Sequence, residues 1–271
     1  MPELPEVETI KRDLSRLIVG KKILDITTDS PKQVKPSLSM LKKAIVGTTI
    51  EKIERRAKLL QIFLSNGQIL AIHLKLTGRL LVRKKGATKD DWQRVIISLS
   101  GNQELRFADL RKFGWIRLLK DKKELEKLLS EFGPEPLDGL NLETFRKILT
   151  SSSRPIKIVL MDQKKIAGVG NIYANDALFL AKIDPRRPAK KISEKEAEKL
   201  LQAIETVLQA GIKYRGASDQ YYLDALGRKG AYQEHFLTYS RDGKKCFDCG
   251  GEIKRLKIGG RGTFYCPRCQ K

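Results

Sequence analysis

The chain has 271 residues, enough for two ordinary domains that each bury a core. Its 41% hydrophobic and 32% charged residues describe a globular protein, and no stretch approaches the roughly 18 unbroken apolar residues of a membrane span. Lys+Arg number 54 against 32 Asp+Glu, and the resulting net charge of +22 points to a polyanionic partner. A ribosomal or merely cationic protein would carry the same charge, so charge names the partner class and not the chemistry. The opening MPELPEVET holds acids where a secretory signal needs an apolar run, so a cytoplasmic location is expected.

Leu4, Val7, Ile10, Leu14, Leu17 and Ile18 recur at three-and-four spacing and predict a helix with one buried face, stopped near Gly20. From about Lys22 to Leu119 the pattern shortens. Runs such as 69–74, 95–99 and 115–119 are strand-like, with Gly67, Gly78, Gly101 and Gly114 between or beside them. Strands at that pace predict a β-sandwich or barrel, with a short helix over Leu38 to Ile45.

Gly133-Pro134-Glu135-Pro136 marks a hinge, after which the chain reads helical to about Ala210. The clearest helix opens at Ser193 with Glu196 as a capping box, and buries Ala197, Leu200, Leu201, Ile204, Val207 and Leu208. Arg215 to Gly230 has no periodicity, and a loop of that length in a compact protein points to function.

Cys246-x2-Cys249 and Cys266-x2-Cys269 stand sixteen residues apart, the spacing of a four-thiolate zinc ribbon. Two disulfides could use the same cysteines, but cytosolic context favours metal-bound thiolates. Four protein ligands leave no open position, so one structural Zn²⁺ is expected. A hairpin from Glu252–Ile258 to Thr263–Tyr265, turning at Gly259-Gly260-Arg261-Gly262, would present Arg261 at its tip, where a guanidinium fits a phosphate bidentately.

Beyond these local patterns, Met1-Pro2-Glu3-Leu4-Pro5-Glu6-Val7-Glu8-Thr9 resembles the start of the formamidopyrimidine-DNA glycosylases. Further blocks follow in family order. They are Arg55-Arg56-Ala57-Lys58, Ala108 to Gly114, Gly133 to Pro136, Ala167 to Tyr173, and Gly260 to Pro267. The resemblance implies an α+β protein: an N-terminal β-sandwich with an N-terminal helix, then a helical domain with a helix–two-turn–helix and a C-terminal zinc ribbon. The expected domains are 1–132 (catalytic), 133–238 (helical, with a lesion-capping loop) and 239–271 (ribbon).

It further implies a bifunctional glycosylase and abasic-site lyase acting as a monomer on damaged double-stranded DNA. Oxidised purines (8-oxoguanine and formamidopyrimidines) would leave through a Schiff base on Pro2, followed by β,δ-elimination. Pro2 would be the nucleophile after loss of Met1, Glu3 the proton shuttle, Lys58 an aid to β-elimination and Arg261 to δ-elimination. His73, Lys157, Asn171 and Tyr239 would hold the DNA backbone. Leu76, Arg111 and Phe113 would fill the space left by the extruded base.

The chain departs from the family pattern at several places. Trp92-Gln93-Arg94 stands where many members have His-x-His, and Asp176 where they have Glu. Arg215-Gly216-Ala217-Ser218 replaces a Gly-Gly-Thr/Ser-Thr/Ser run, and Leu76 a common Met. His235 matches no role in the family. An endonuclease VIII-like enzyme for oxidised pyrimidines and a non-enzymatic zinc-ribbon DNA-binding protein are the alternatives. Leu4 argues against the first of these, and intact Pro2, Glu3 and Lys58 against the second.

Overall fold

A computed structural model describes residues 2–271, and Met1 lies outside the described residues. The chain divides into two compact units. The first runs to Ser130 and includes Tyr214–Ala231; the second holds Glu131–Lys213 and Tyr232–Lys271. The non-periodic loop, grouped in sequence with the helical part, thus packs with the first unit.

The first unit begins with α1, Leu4–Ile18. The Glu6 carboxylate accepts the Glu3 N–H at 2.7 Å, satisfying a donor that the first helical turn leaves over. Leu4, Val7, Ile10, Leu14 and Ile18 form its fully buried stripe. Then follow β1 (Ile23–Thr28), β2 (Val34–Lys35), α2 (Leu38–Ile45), β3 (Ile50–Arg56), β4 (Leu59–Leu64), β5 (Ile69–His73) and β6 (Gly78–Lys84). The unit continues with β7 (Gln93–Leu99), β8 (Gln103–Asp109), β9 (Trp115–Leu119) and α3 (Lys122–Leu129).

One sheet has the order β1-β7-β8-β6 and the other β2-β9-β5-β4-β3, with β2 and β9 paired in parallel. Alternating strand residues from both sheets meet the α1 stripe in a single core: Ile97, Leu105 and Phe107 from the first, Leu60, Ile62 and Ile72 from the second. Each such side chain contributes about 1.5–3 kcal/mol on burial, so strand register here is strongly fixed.

The second unit contains α4 (Leu142–Thr150), α5 (Ile156–Met161), α6 (Asn171–Leu180), α7 (Glu194–Lys213), β10 (Lys254–Ile258) and β11 (Arg261–Tyr265). Ser193 and Glu196 make the predicted capping box, the Glu196 carboxylate accepting the Ser193 N–H at 2.8 Å. α6 is buried on every face from Ile172 to Phe179, as a helix enclosed by α5, α7 and β11 must be. At Gly211 an added Cβ would lie 2.5 Å from the Tyr173 ring, so α7 can approach α6 this closely only with glycine there.

The ribbon hairpin is tighter than the sequence suggested. Its turn is Gly259-Gly260 alone, with φ of +54° and +76°, and Arg261 is already paired with Ile258 at the start of β11. Two consecutive positive φ values are what a two-residue hairpin turn of matching twist requires. Among the described residues no helix is long and apolar enough to cross a membrane.

Candidate active site

The residues singled out by sequence fall into both units, with Pro2, Glu3, Lys58, His73, Leu76, Arg111 and Phe113 in the first. Pro2 and Glu3 lead into α1 and are buried, Glu3 being 2% exposed. Lys58, 5% exposed, occupies the two-residue turn between β3 and β4, where Ala57 takes a φ of +54°. One side chain ties this turn to the helix. Arg55 donates from Nε to Glu8 on α1 at 3.1 Å and from Nη1 to the Ala57 carbonyl at 3.0 Å. Burial raises the Glu8 carboxyl, but hydrogen bonds from Arg12 and Arg55 outweigh it and hold the group below the usual carboxylate range. The tie is therefore ionic at neutral pH.

Strand register brings the next residues to the same sheet end. Leu59, after Lys58, pairs with His73, and His73 pairs with Trp115. The His73 Nδ1 accepts the Lys75 N–H at 3.0 Å, and its ring packs 5.8 Å from that of Trp115. Burial, reinforced by the charges of Lys75 and Lys58, pulls the imidazole down from its ordinary 6.5 to about 3. His73 is thus neutral at physiological pH, with Nδ1 as acceptor and Nε2–H left as its donor.

Leu76, Arg111 and Phe113 lie on two loops that one carboxylate joins. Asp109, fully buried, accepts Thr77 Oγ1 and the Arg111 N–H on Oδ1, and the Gly114 N–H (2.8 Å) and Gln33 Nε2 (3.1 Å) on Oδ2. The loop it grips presents Phe113 at 53% exposure, with the Arg111 guanidinium 4.7 Å from the centre of its ring. A large exposed aromatic beside a cation suits stacking on a base better than packing in a core. Gly114 cannot carry a side chain, because a Cβ would lie 2.6 Å from Phe107 and 3.0 Å from the His73 carbonyl. Leu76 is half-buried on the β5–β6 turn.

The segment Tyr214–Ala231 is ordered by polar contacts to α1. Glu6 accepts the Ala217 N–H at 2.8 Å, and Arg215 bridges Asp13 and Asp224, each at 2.6 Å. Gly216 has a φ of +84°, and its Cβ would meet both Glu6 and Tyr222 at 2.8 Å. The loop is therefore seated directly on the helix that Pro2 and Glu3 begin. Trp92 also receives a place: it stacks under Arg79 at 5.1 Å and meets Tyr221 edge-on at 5.9 Å, while Arg79 Nε donates to the Tyr221 carbonyl. Arg94 is occupied by the Asp109 carbonyl at 3.2 Å and by Asp29 at 3.5 Å.

In the second unit Asn171 opens α6, half-buried, and its carbonyl accepts Asn175 Nδ2 at 2.6 Å. Tyr239 is held from behind by Asp176. That carboxylate is fully buried and accepts the N–H groups of Leu237, Thr238 and Tyr239 at 2.9–3.2 Å, as well as the Tyr232 hydroxyl. One methylene fewer than Glu still reaches all of them. Arg261 is exposed at the start of β11. Lys157, expected at the DNA backbone, is 0% exposed, and its ammonium donates to protein acceptors, the Gly262 carbonyl and Thr263 Oγ1 among them. His235 is exposed in a short 3-10 turn, Tyr232–His235.

The four cysteines carry no disulfide, and their sulfurs all lie within 4.8 Å of one another. Ligands about 2.3 Å from a tetrahedral zinc stand about 3.8 Å apart. Cys246–Cys269 at 3.8 Å and Cys249–Cys266 at 3.5 Å fit that edge. The protein holds one structural Zn²⁺ through Cys246, Cys249, Cys266 and Cys269. Bound there, the metal supplies cross-linking of two knuckles and, with four thiolates, no open coordination position.

Asp109 and Asp176 were not singled out for these roles by sequence. Asp109 sits inside the Ala108–Gly114 block, and its place before a glycine-terminated loop was the available signal. Asp176 stands out in sequence only as a departure from the family pattern; its partners lie more than 55 residues away, beyond any local pattern.

Comparison with known proteins covers nearly the whole chain. The model described as the formamidopyrimidine-DNA glycosylase N-terminal domain matches residues 1–116, and that of the glycosylase's H2TH domain matches residues 132–222. A zinc finger found in FPG and IleRS matches residues 243–271. Curated relatives include the formamidopyrimidine-DNA glycosylases of Carboxydothermus hydrogenoformans, 42% identical with 100% of both chains covered, and Pelotomaculum thermopropionicum, 43% identical with 100% of this chain and 99% of the other. Among solved structures, a Lactococcus lactis Fpg variant bound to Fapy-dG-containing DNA superposes with a TM-score of 0.94 at 37% identity over all of both chains. The same organism's Fpg bound to DNA with an abasic site gives 0.94 at 37% identity over 99% of both chains.

Proposed function

The chain belongs to the formamidopyrimidine-DNA glycosylase family, and from that premise we propose how its residues carry out base excision on DNA damaged by oxidation. It is a glycosylase and abasic-site lyase that removes oxidised purines. The observation that carries the residue assignment is in the first unit: buried Pro2 and Glu3 at the head of α1, tied through Glu8 and Arg55 to the turn that holds Lys58.

With Met1 removed, Pro2 is a secondary amine with a reference pKa near 7.7–8.0, so roughly a tenth is unprotonated at pH 7. Its nitrogen attacks C1′ and the glycosidic bond breaks, the electron pair leaving with the base. The proton on the new C1′–N bond is lost as the sugar ring opens, Glu3 delivering a proton to the ring oxygen. The resulting iminium is an electron sink that acidifies C2′–H. Loss of that proton, assisted by Lys58, expels the 3′ phosphate; a second elimination, assisted by Arg261, expels the 5′ phosphate. Burial of both acid and lysine lets a proton move without competition from bulk water.

Neutral His73, Asn171 and Tyr239 position the DNA backbone. Phe113, Arg111 and Leu76 occupy the stack while the damaged base is extruded, and Tyr214–Ala231 covers that base. The enzyme works as a monomer in the cytoplasm, where its thiolates stay reduced and its substrate resides.

Borohydride reduction during turnover tests the nucleophile. The wild-type protein cross-links to 8-oxoguanine duplex, and peptide mapping finds the adduct on Pro2. An adduct on a lysine, or none, overturns the assignment. Thymine glycol duplex excised faster than 8-oxoguanine would favour the pyrimidine-directed alternative.

A further inference from the structure

We propose that Lys157 is a positioning residue for Arg261, clamping the tip of the ribbon hairpin from inside the protein instead of touching DNA. An ammonium is a donor through each of its three protons, and among the acceptors around this one are the Gly262 carbonyl at 2.8 Å, Thr263 Oγ1 at 2.8 Å and Asn175 Oδ1 at 3.3 Å. Gly262 and Thr263 are the two residues that follow Arg261. The side chain is fully buried, so it offers no surface to a phosphate.

The other contacts at the tip reinforce this grip. Asn175 Oδ1 also accepts the Phe264 N–H at 2.8 Å, and Thr263 Oγ1 is within 3.2 Å of the Arg261 carbonyl. Gly259 lets the turn settle on α5, since a Cβ there would lie 2.4 Å from Ile158 Cδ1. A two-stranded ribbon is marginal by itself, and zinc fastens the end opposite this turn. A long flexible Arg at an unclamped tip would sample many positions. Held through the carbonyl and hydroxyl of its two successors, its backbone has one, which is the preorganisation that an electrostatic contact to a reacting phosphate needs.

The inference rests on the reading of Arg261 as the aid to the second elimination. Lys157→Met, Thr263→Val, Arg261→Ala and Lys157→Met/Arg261→Ala are compared with wild type on abasic duplex. The readouts are the ratio of δ- to β-elimination product, borohydride trapping, the salt dependence of binding and amide exchange over 259–264. Lys157→Met is expected to lower the product ratio several-fold toward that of Arg261→Ala, keep trapping within about two-fold of wild type, and speed exchange at the tip. Thr263→Val should do the same more weakly, and it carries the test if the lysine variant loses its zinc. In the Arg261→Ala background, Lys157→Met should change neither the product ratio nor the salt slope further.

A further fall in the salt slope of about 0.9, the share of one neutralised phosphate, would instead make Lys157 a direct DNA contact and overturn the proposal. Unaltered exchange at the tip in both Lys157→Met and Thr263→Val would overturn it as well. If Arg261→Ala itself leaves the product ratio intact, the Arg261 reading fails, and the exchange data still decide whether Lys157 clamps the hairpin.

Discussion

The two units position their functional side chains by different means. In the first, Lys58, His73 and the Phe113 loop lie at the ends of β4, β5 and β9, strands whose other faces fill a core spanning two sheets and α1. Register is enforced by apolar burial along each strand, and one buried carboxylate, Asp109, trims the loops. The ribbon of the second unit has far less to bury: its cluster is Phe179, Cys246, Ile253, Phe264 and Cys266. There a metal and buried polar groups, Lys157, Asn175 and Asp176, take over. Where apolar area is small, directional contacts must set the geometry.

Zinc removal breaks this comparison most forcefully, because structural zinc contributes on the order of 10–16 kcal/mol of apparent binding energy in small zinc domains. Chelation, or Cys249→Ser, should unfold the ribbon and abolish tight DNA binding while leaving the first unit folded. Both tryptophans, Trp92 and Trp115, belong to the first unit, so selectively excited tryptophan fluorescence reports on it. Emission that shifts in step with metal loss would show that the sandwich depends on the ribbon.

Asp109 should be the most costly polar residue in the first unit. Asp109→Ala takes the acceptor from the Gly114 N–H and the Thr77 hydroxyl, each such loss costing about 1–3 kcal/mol where the group stays buried, and leaves the Arg111 N–H with Thr77 Oγ1 and Gln33 Nε2 with the Gly114 carbonyl. Denaturant midpoints should fall accordingly, and 8-oxoguanine excision should suffer more than abasic cleavage because the Phe113 loop is released. A stability loss under about 1 kcal/mol would mean that the core alone holds these loops.

Phe113 gives the opposite profile. Being half-exposed, its replacement by alanine should leave stability within about 0.5 kcal/mol of wild type. In single-turnover assays it should lose the few kcal/mol associated with keeping a base extruded, but only on a lesion-containing duplex. An abasic duplex has no base to extrude and should be cleaved nearly as well as by wild type. Equal slowing of both substrates would make Phe113 a packing residue.

The same contrast governs what the sequence revealed. α1, α2 and α7 were legible because periodicity and caps are local, and the cysteine spacing and family blocks were legible because they are written in residue identity. The seat of Tyr214–Ala231 was not, since it depends on Glu6 and Asp13, some two hundred residues away. Arg261 was placed within the turn because three glycines surround it; only strand register shows that the turn ends at Gly260. Lys157 was expected at the DNA backbone through the family resemblance alone, and nothing in its neighbourhood of sequence announces the acceptors around it.

The smallest effect concerns His73 and acid. Its folded pKa is depressed to about 3 from an ordinary 6.5, mainly by burial and further by Lys75 and Lys58. Above pH 6.5 both folded and unfolded chains hold it neutral, and it contributes no pH dependence. Below 6.5 the unfolded chain takes up a proton that the folded chain refuses, so stability falls as pH drops, until the folded imidazole itself titrates. One pH unit below 6.5 this amounts to about 1.4 kcal/mol. Chemical denaturation followed by tryptophan fluorescence, with the Trp115 ring beside His73, should show that loss between pH 7.5 and pH 5.5. His73→Gln should remove it, whatever its fixed cost in stability, because glutamine does not titrate. Glu8, held below the usual range by Arg12 and Arg55, adds its own loss only at lower pH, so it does not blur this window. A wild-type profile parallel to that of His73→Gln from pH 7.5 to 5.5 would mean that His73 protonates in the folded protein, and the neutral donor assigned to it would have to be given up.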